Sequence, residues 1–104
     1  MTAPNKGDLI YIKFGDSNHQ SAIVLSPKSF NKLTYFAVIC PVTKEKKGYP
    51  FEVKLPKGLA IEGVILTDQV RSVEWKTRNI KIVGQAPQEI IETCIRRIHT
   101  FISM

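Results

Sequence analysis

The sequence contains few cysteines and no long apolar run. Two of its 104 residues are cysteine, Cys40 and Cys94, and both lie among aliphatic neighbours. One pair of cysteines makes neither a disulfide scaffold nor a zinc site, so we interpret both as small buried apolar side chains in a reducing cytosol. No stretch approaches the roughly 20 apolar residues that a membrane-spanning helix needs. The N-terminus has no apolar signal region. These absences predict a cytoplasmic protein that does not enter a membrane.

The sequence also lacks the recurrent motifs of metal and cofactor chemistry. It has no glycine-rich phosphate loop, no metal-ligand spacing and no nucleophile elbow, so we expect no metal and no cofactor. The two histidines, His19 and His99, are far apart, and His99 is expected on the surface. The length predicts one domain over residues 1–104, and 43% apolar residues are enough for one modest core.

Basic residues outnumber acidic residues by 15 to 9, and this excess is confined to two segments. Residues 43–58 contain five lysines against two glutamates, and residues 71–82 contain four basic residues against one glutamate. In the rest of the chain the two signs cancel. If the fold brings the two segments together, they form a face that attracts phosphate. The alternative is a solvated basic surface that only keeps the protein soluble.

Hydrophobic periodicity predicts six short strands followed by one helix. The strands are expected at residues 8–14, 22–26, 34–41, 51–55, 63–67 and 79–84, where apolar residues alternate or form short runs. Residues 15–21 have the composition of a polar loop, and residues 27–31 that of a helical turn capped by Ser26. After Pro87 the apolar residues form the stripe of an amphipathic helix. This order predicts a mainly β protein with a C-terminal α-helix, a small antiparallel barrel closed by the helix.

Several segments resemble, in the same order, those of the MazF/PemK toxins. They are Gly-Asp-Leu-Ile at 7–10, Ala-Ile-Val-Leu-Ser-Pro at 22–27, Cys-Pro-Val-Thr at 40–43, Lys-Gly-Tyr-Pro-Phe-Glu-Val at 47–53, Gly-Val-Ile-Leu at 63–66 and Asp-Gln-Val-Arg-Ser at 68–72, with Trp75 and Arg78. No single segment is decisive, but the ordered set spans roughly residues 7–102 and is specific. The run at 47–53 makes the chain resemble MazF most closely.

The resemblance implies a fold, an activity and partners. The fold is a CcdB/PemK-like, SH3-like barrel that forms a homodimer. The activity is that of an mRNA interferase, a sequence-specific, metal-independent endoribonuclease that cleaves single-stranded RNA by attack of the 2′-OH. The partners are RNA and a cognate MazE-like antitoxin, whose acidic tail occupies the RNA groove.

The resemblance also assigns candidate site residues. Thr43 matches the family threonine by its Pro-Val-Thr context, and its hydroxyl could hydrogen-bond the phosphate. Asp68 and Gln69 are expected to read base edges, and Tyr49 could stack on an unpaired base. The RNA-binding candidates are Lys44, Lys46, Lys47, Tyr49, Asp68, Gln69, Arg71 and Arg78. Phe51 and Trp75 are expected to pack in the core rather than to contact bases.

One catalytic position departs from the family pattern. Where the family has an arginine before the second strand, this chain has Gln20, which cannot supply the charge of a guanidinium. The seven residues between Phe14 and Ala22 also make a shorter first loop than the family has. The loss of the arginine predicts weakened cleavage, and it predicts that Gln20→Arg raises activity.

Three explanations of this departure are open. His19 could replace the arginine as general acid or base, since an imidazole titrates near neutral pH. The chain could be a catalytically impaired member of the family, natural or engineered. The printed sequence could also lack loop residues. The corresponding alternative function is a binding module for RNA or antitoxin, and a further one is a topoisomerase-binding toxin of the CcdB type.

Overall fold

The computed structural model describes residues 2–15 and 18–104, with only the backbone of Asn18. The strands are β1 (Asp8–Phe14), β2 (Asn18–Val24), β3 (Phe36–Thr43), β4 (Glu52–Lys54), β5 (Val64–Leu66), β6 (Arg71–Glu74) and β7 (Ile80–Gln85). The helices are α1 (Lys28–Thr34) and α2 (Gln88–Ile102), and a 3₁₀ turn covers Thr67–Gln69. The predicted class, mainly β with a C-terminal helix, is confirmed. No helix in the described ranges is long and apolar enough to cross a membrane.

The strands pair antiparallel in the order β4–β5–β3–β2–β1–β7, with β6 also on β3. Strand β3 is the central strand because Ile39 pairs with Val24 of β2 and also with Arg71 of β6. One edge of β3 pairs with β2, and the other edge pairs with β6 along its first half and with β5 along its second half. Within the described residues no strand pairing joins β4 to β7, so the sheet bends around the core without closing.

Alternating side chains of the sheet build two cores, one on each face. Along β1, Leu9 belongs to one core, whereas Ile10 and Ile12 belong to the other, as the alternation predicts. Helix α2 covers the first core with Ile91 and Cys94. The first core consists of Leu9, Ile23, Leu25, Cys40, Val42, Val53, Leu55, Ile61, Ile65, Ala86, Ile91 and Cys94. The second core consists of Ala3, Ile10, Ile12, Ala22, Val24, Ala37, Ile39, Val73 and Trp75.

Two predicted interior assignments are confirmed by this packing. Cys40 and Cys94 are both buried free thiols, and burial raises the pKa of each to about 12. Both thiols are therefore protonated and unreactive at neutral pH. Trp75 is buried in the second core. Phe51 is half-buried outside both cores and packs edge to face on Phe101 of α2, with the ring centroids 5.4 Å apart.

Two sequence predictions about strands are wrong. Residues 18–21 were expected in a loop, but they form the first half of β2, where Lys13 pairs with His19 and Ile12 with Gln20. Their polar composition gives no strand signal, and β1 supplies the pairing partner that decides their conformation. The sequence also predicts no strand at β6, because its four residues show little apolar alternation.

The region around α1 also differs from the prediction. The helix is longer than the expected turn, and Pro27, not Ser26, occupies its N-cap position. The Ser26 hydroxyl instead donates to Asn31 Oδ1 at 2.5 Å and accepts from the Val38 N–H at 2.8 Å. Asn31 Nδ2 donates to the carbonyls of Pro4 and Ser26, at 2.9 and 3.0 Å. Trp75 Nε1 donates to the Asn31 carbonyl at 2.9 Å. This buried network joins the N-terminal segment, α1, β3 and the end of β6.

Asn31→Ala should destabilise the fold because it leaves several buried polar groups without partners. Each unsatisfied buried group costs about 1–3 kcal/mol, so we expect a loss of about 3 kcal/mol in the free energy of unfolding. Asn79→Ala is the matched control, since Asn79 is exposed and such substitutions change stability by about 0.5 kcal/mol or less. Urea unfolding of both variants measures the difference. Equal losses would contradict the role given to the network.

Candidate functional site

A cleft of about 560 Å³ opens on the face of the sheet that carries the second core. Three predicted site residues, Gln20, Gln69 and Arg71, line it. They come from β2, the 3₁₀ turn and β6, so the sheet brings together residues that are distant in sequence. Its described lining consists of Phe14, Gln20, Ile39, Pro41, Gln69, Val70 and Arg71.

Thr43 lies at the end of β3 on the same face as this cleft. In β3, alternate residues share a face, so Thr43 projects on the side of Ile39 and Pro41, which line the cleft. The register of β2 with β3 pairs Ala22 with Pro41, and Gln20 Nε2 donates to the carbonyl of Val42, the residue before Thr43. Thr43 Oγ1 accepts from the Glu45 N–H at 3.1 Å, which leaves the hydroxyl proton as a donor for a ligand. Gln20 therefore reaches the residue next to Thr43, while Thr43 is not among the described residues that line the cleft.

The side-chain amide of Gln20 is held by the backbone. Its Nε2 donates to the Ser21 carbonyl at 2.9 Å and to the Val42 carbonyl at 3.3 Å. Since an amide nitrogen carries two hydrogens, both of its donors are used. The group that Gln20 can offer to a ligand in the cleft is its carbonyl oxygen, an acceptor without charge.

His19 lies on the opposite face of β2. Adjacent strand residues point to opposite sides, and Ser21, two residues further, lines a separate cavity together with Tyr11. His19 is exposed on that side. The structure therefore does not bring His19 together with Thr43 and Gln20, and the hypothesis that it replaces the family arginine loses its geometric basis. His99 is exposed on α2, as predicted.

Phe14 is the cleft residue that the sequence analysis missed. The Arg71 and Arg78 guanidinium carbons lie 4.5 and 4.8 Å from the centroid of its ring, within the range of cation–π contact. Arg71 is exposed in the cleft, whereas Arg78 is half-buried and lines a neighbouring hollow with Lys13 and Thr77. Phe14 shares a face of β1 with the core residues Ile10 and Ile12, so its place in the strand pattern gives no signal of a site. Its contact with two arginines makes it part of the site.

The loop between β3 and β4 is linked to the cleft through Tyr49. The Glu52 carboxylate accepts the backbone N–H groups of Lys47 and Gly48 at 2.8 and 2.9 Å, and so fixes the shape of the loop. Tyr49 Oη donates to Asp68 Oδ1 at 3.1 Å. Desolvation, followed by this hydrogen bond and the charge of Asp68, raises the pKa of Tyr49. Asp68 precedes the cleft residue Gln69, so the loop and the cleft meet at the 3₁₀ turn.

The remaining lysine candidates lie apart from the cleft. Lys44 and Lys46 line a smaller cavity of about 190 Å³. Lys54 and Lys57 line the same cavity, although neither was among the predicted residues. The predicted RNA-binding residues thus form two groups, one around the cleft and one around these lysines. In the described parts of the chain, no group of three or more His, Cys, Asp or Glu side chains could hold a metal ion.

Residues 5–102 match the model of a family described as PemK-like, MazF-like toxins of type II toxin–antitoxin systems. The chain belongs to this family. It is 40% identical over 94 residues to the endoribonuclease toxin MazF of Escherichia coli (strain K12), with 84% of each chain covered. It is 27% identical over 109 residues to the endoribonuclease toxin ChpB of the same organism, covering 93% of this chain and 92% of that one.

Solved structures give the same result for the fold. A MazE–MazF crystal structure (Form-II) from Deinococcus radiodurans has a TM-score of 0.91 with this chain at 36% identity. That match covers 98% of this chain and 97% of the other. An endoribonuclease from a mycobacterial species, solved with its cognate antitoxin, has a TM-score of 0.84 at 15% identity and shows the PemK/MazF-like fold alone.

Asp68→Ala should lower the pKa of Tyr49 towards that of an ordinary tyrosine, because it removes both the hydrogen bond and the negative charge that favour the neutral phenol. Glu45→Ala is the matched control, since it removes a carboxylate from the same loop that does not act on Tyr49. NMR titration of ¹³C-labelled tyrosine measures both variants. A shift of the same size in the control would show that the contact with Asp68 has no specific effect.

Proposed function

We propose that this chain is a sequence-specific, metal-independent endoribonuclease of the MazF type that cleaves single-stranded RNA. The observation that carries the proposal is the cleft in which Gln20, Gln69 and Arg71 meet, at the face of β3 to which the alternation also assigns Thr43. The names of its relatives MazF and ChpB as endoribonucleases support the activity. They favour neither the binding-module alternative nor the topoisomerase-binding one.

The proposed reaction is an internal transfer of the phosphate. The 2′-oxygen attacks the adjacent phosphorus and the bond from phosphorus to the 5′-oxygen breaks, leaving a 2′,3′-cyclic phosphate and a 5′-hydroxyl. One proton leaves the 2′-oxygen and one reaches the 5′-oxygen, and both exchange with solvent water. The protein must hold the phosphate and stabilise the negative charge of the pentacoordinate transition state. Thr43 donates its hydroxyl to a phosphate oxygen, and the Gln20 carbonyl orients the attacking 2′-OH.

The charged and aromatic residues around the cleft hold the RNA. Arg71 and Arg78 contact the backbone together with the lysines of the β3–β4 loop, Lys44, Lys46 and Lys47, because phosphate contacts supply most of the affinity. Tyr49 stacks on an unpaired base. Asp68 and Gln69 read base edges through hydrogen bonds. Tyr49 and Asp68 act as one unit because they are hydrogen-bonded to each other.

The proposal includes partners and a cellular location. A MazE-like antitoxin with an acidic tail would bind the same basic residues by charge complementarity, and the MazE–MazF crystal structures of relatives support such a complex. A homodimer would cover apolar side chains that are exposed in one chain, such as Leu33 at 82% and Ile102 at 68%. The chain would act as one domain over residues 1–104, in the cytoplasm, where its two free thiols stay reduced.

Cleavage of single-stranded RNA in the presence of a chelator tests the proposal. The products should carry 2′,3′-cyclic phosphate and 5′-hydroxyl ends. Thr43→Val should lower the single-turnover rate by about 100-fold or more because it removes a hydrogen-bond donor to the developing charge, whereas Thr43→Ser keeps that donor. Thr100→Val, on the exposed face of α2, is the control. A requirement for metal, or products with 5′-phosphate ends, would refute the mechanism.

Gln69→Ala should relax the sequence preference because a base edge loses its hydrogen-bond partner. The expected cost is on the order of 1–3 kcal/mol on the preferred base and little on the others. Gln88→Ala on α2 is the matched control. Cleavage rates on a panel of oligonucleotides that differ at one position report the preference. A uniform loss across the panel would mean that Gln69 contacts the backbone.

A further inference from the structure

The cleft has one charged side chain in its described lining. Of the seven residues that surround it, Arg71 carries a charge and the other six are neutral. The proposed reaction adds negative charge to a phosphate that is already an anion, and such charge is stabilised best by a positioned cation or donor. If the scissile phosphate occupies this cleft, Arg71 is the charged side chain of the described lining that can stabilise it.

Gln20 cannot share this task. Both hydrogens of its amide are engaged by the Ser21 and Val42 carbonyls. A carbonyl oxygen that faces a phosphate would repel it, so Gln20 suits the attacking hydroxyl better than the phosphate. The position at which the family has an arginine therefore offers only a hydrogen-bond acceptor in this chain. The cation that stabilises the phosphate must come from another residue.

Arg71 is positioned by the sheet and by Phe14. Its backbone pairs with Ile39 in the middle of β3, which places it on a rigid strand rather than on a loop. Its guanidinium lies 4.5 Å from the centroid of the Phe14 ring. A ring face restrains the planar guanidinium without engaging the N–H donors along its edge. Arg78 lies on the same ring at 4.8 Å and adds a second positive charge beside the cleft.

We infer that Arg71 is the catalytic cation of this chain, and that its guanidinium binds the scissile phosphate and stabilises the pentacoordinate transition state in place of residue 20. The inference rests on the proposed endoribonuclease function. Arg71 transfers no proton: the 2′-OH proton passes to solvent water, and water protonates the leaving 5′-oxygen. Phe14 acts through Arg71 and is a positioning residue.

The test compares single-turnover cleavage by four variants with that by the parent chain, using an RNA oligonucleotide that spans a mapped cut site. The variants are Arg71→Gln, Gln20→Arg, the double variant with both changes, and Arg96→Gln as the matched control on the exposed face of α2. Affinity is measured separately on the same oligonucleotide with a 2′-deoxy nucleotide at the cut site, which binds but cannot react. This separation distinguishes loss of chemistry from loss of binding.

Arg71→Gln should lower the rate at saturating protein by about 100- to 1,000-fold, the usual effect of removing one preorganised donor, with a much smaller change in affinity for the deoxy oligonucleotide. Adding Gln20→Arg to the Arg71→Gln variant should raise its cleavage rate at least about tenfold, because a guanidinium returns to the cleft. Arg96→Gln should leave the rate of the parent unchanged.

Three results would overturn the inference while leaving the proposed function intact: two concern the cleavage rate, and one is a loss confined to affinity. The first is an Arg71→Gln variant that cleaves as fast as the parent. The second is an inactive parent that becomes active with Gln20→Arg, which would show that the scaffold carries the chemistry but that Arg71 does not suffice. If neither the parent nor Gln20→Arg cleaves any RNA, both the inference and the proposed function are wrong. A loss confined to affinity would make Arg71 a binding residue only.

Discussion

The buried amide of Asn31 holds together the parts of this small protein that the sheet alone does not join. Its side chain bonds Ser26 and the N-terminal segment, while its backbone carbonyl accepts from both the Tyr35 N–H and the Trp75 indole. Tyr35 follows α1 in the left-handed conformation, with φ of 62°, and its ring packs edge to face on Trp75. The hydrogen bonds around Asn31 therefore set the direction in which the chain enters β3. Strand β3 in turn pairs with the two strands that carry Gln20 and Arg71.

The site forms because β3 pairs with a different strand along each of its edges. One edge of β3 receives β2 with Gln20, and the other receives β6 with Arg71. The 3₁₀ turn between β5 and β6 then places Gln69 in the same cleft. The side chains that define the cleft therefore depend on backbone pairing more than on contacts among themselves. Within the described residues, the exposed Arg71 is restrained by the Phe14 ring.

Sequence reasoning predicted those elements in which local pattern and final environment agree. The alternation in β1 and the apolar stripe of α2 were sufficient to predict these two elements, because the apolar side chains of both pack into the cores. The polar half of β2 was missed because its conformation depends on pairing with β1, which no local pattern reveals. The resemblance supplied Thr43, Gln69 and Arg71 as candidates. It could not supply the contact of Arg71 with Phe14, which exists only after β6 has paired with β3.

The pairing of residues 18–21 with β1 has a consequence for how the cleft is assembled. The ladder between the two strands runs from Leu9 opposite Ile23 to Phe14 opposite Asn18. Two residues of the cleft lining, Phe14 and Gln20, are therefore held by the same run of backbone pairs. A substitution that weakens this pairing would displace the ring beneath Arg71 and the Gln20 amide together, which couples the geometry of the site to the local stability of this hairpin.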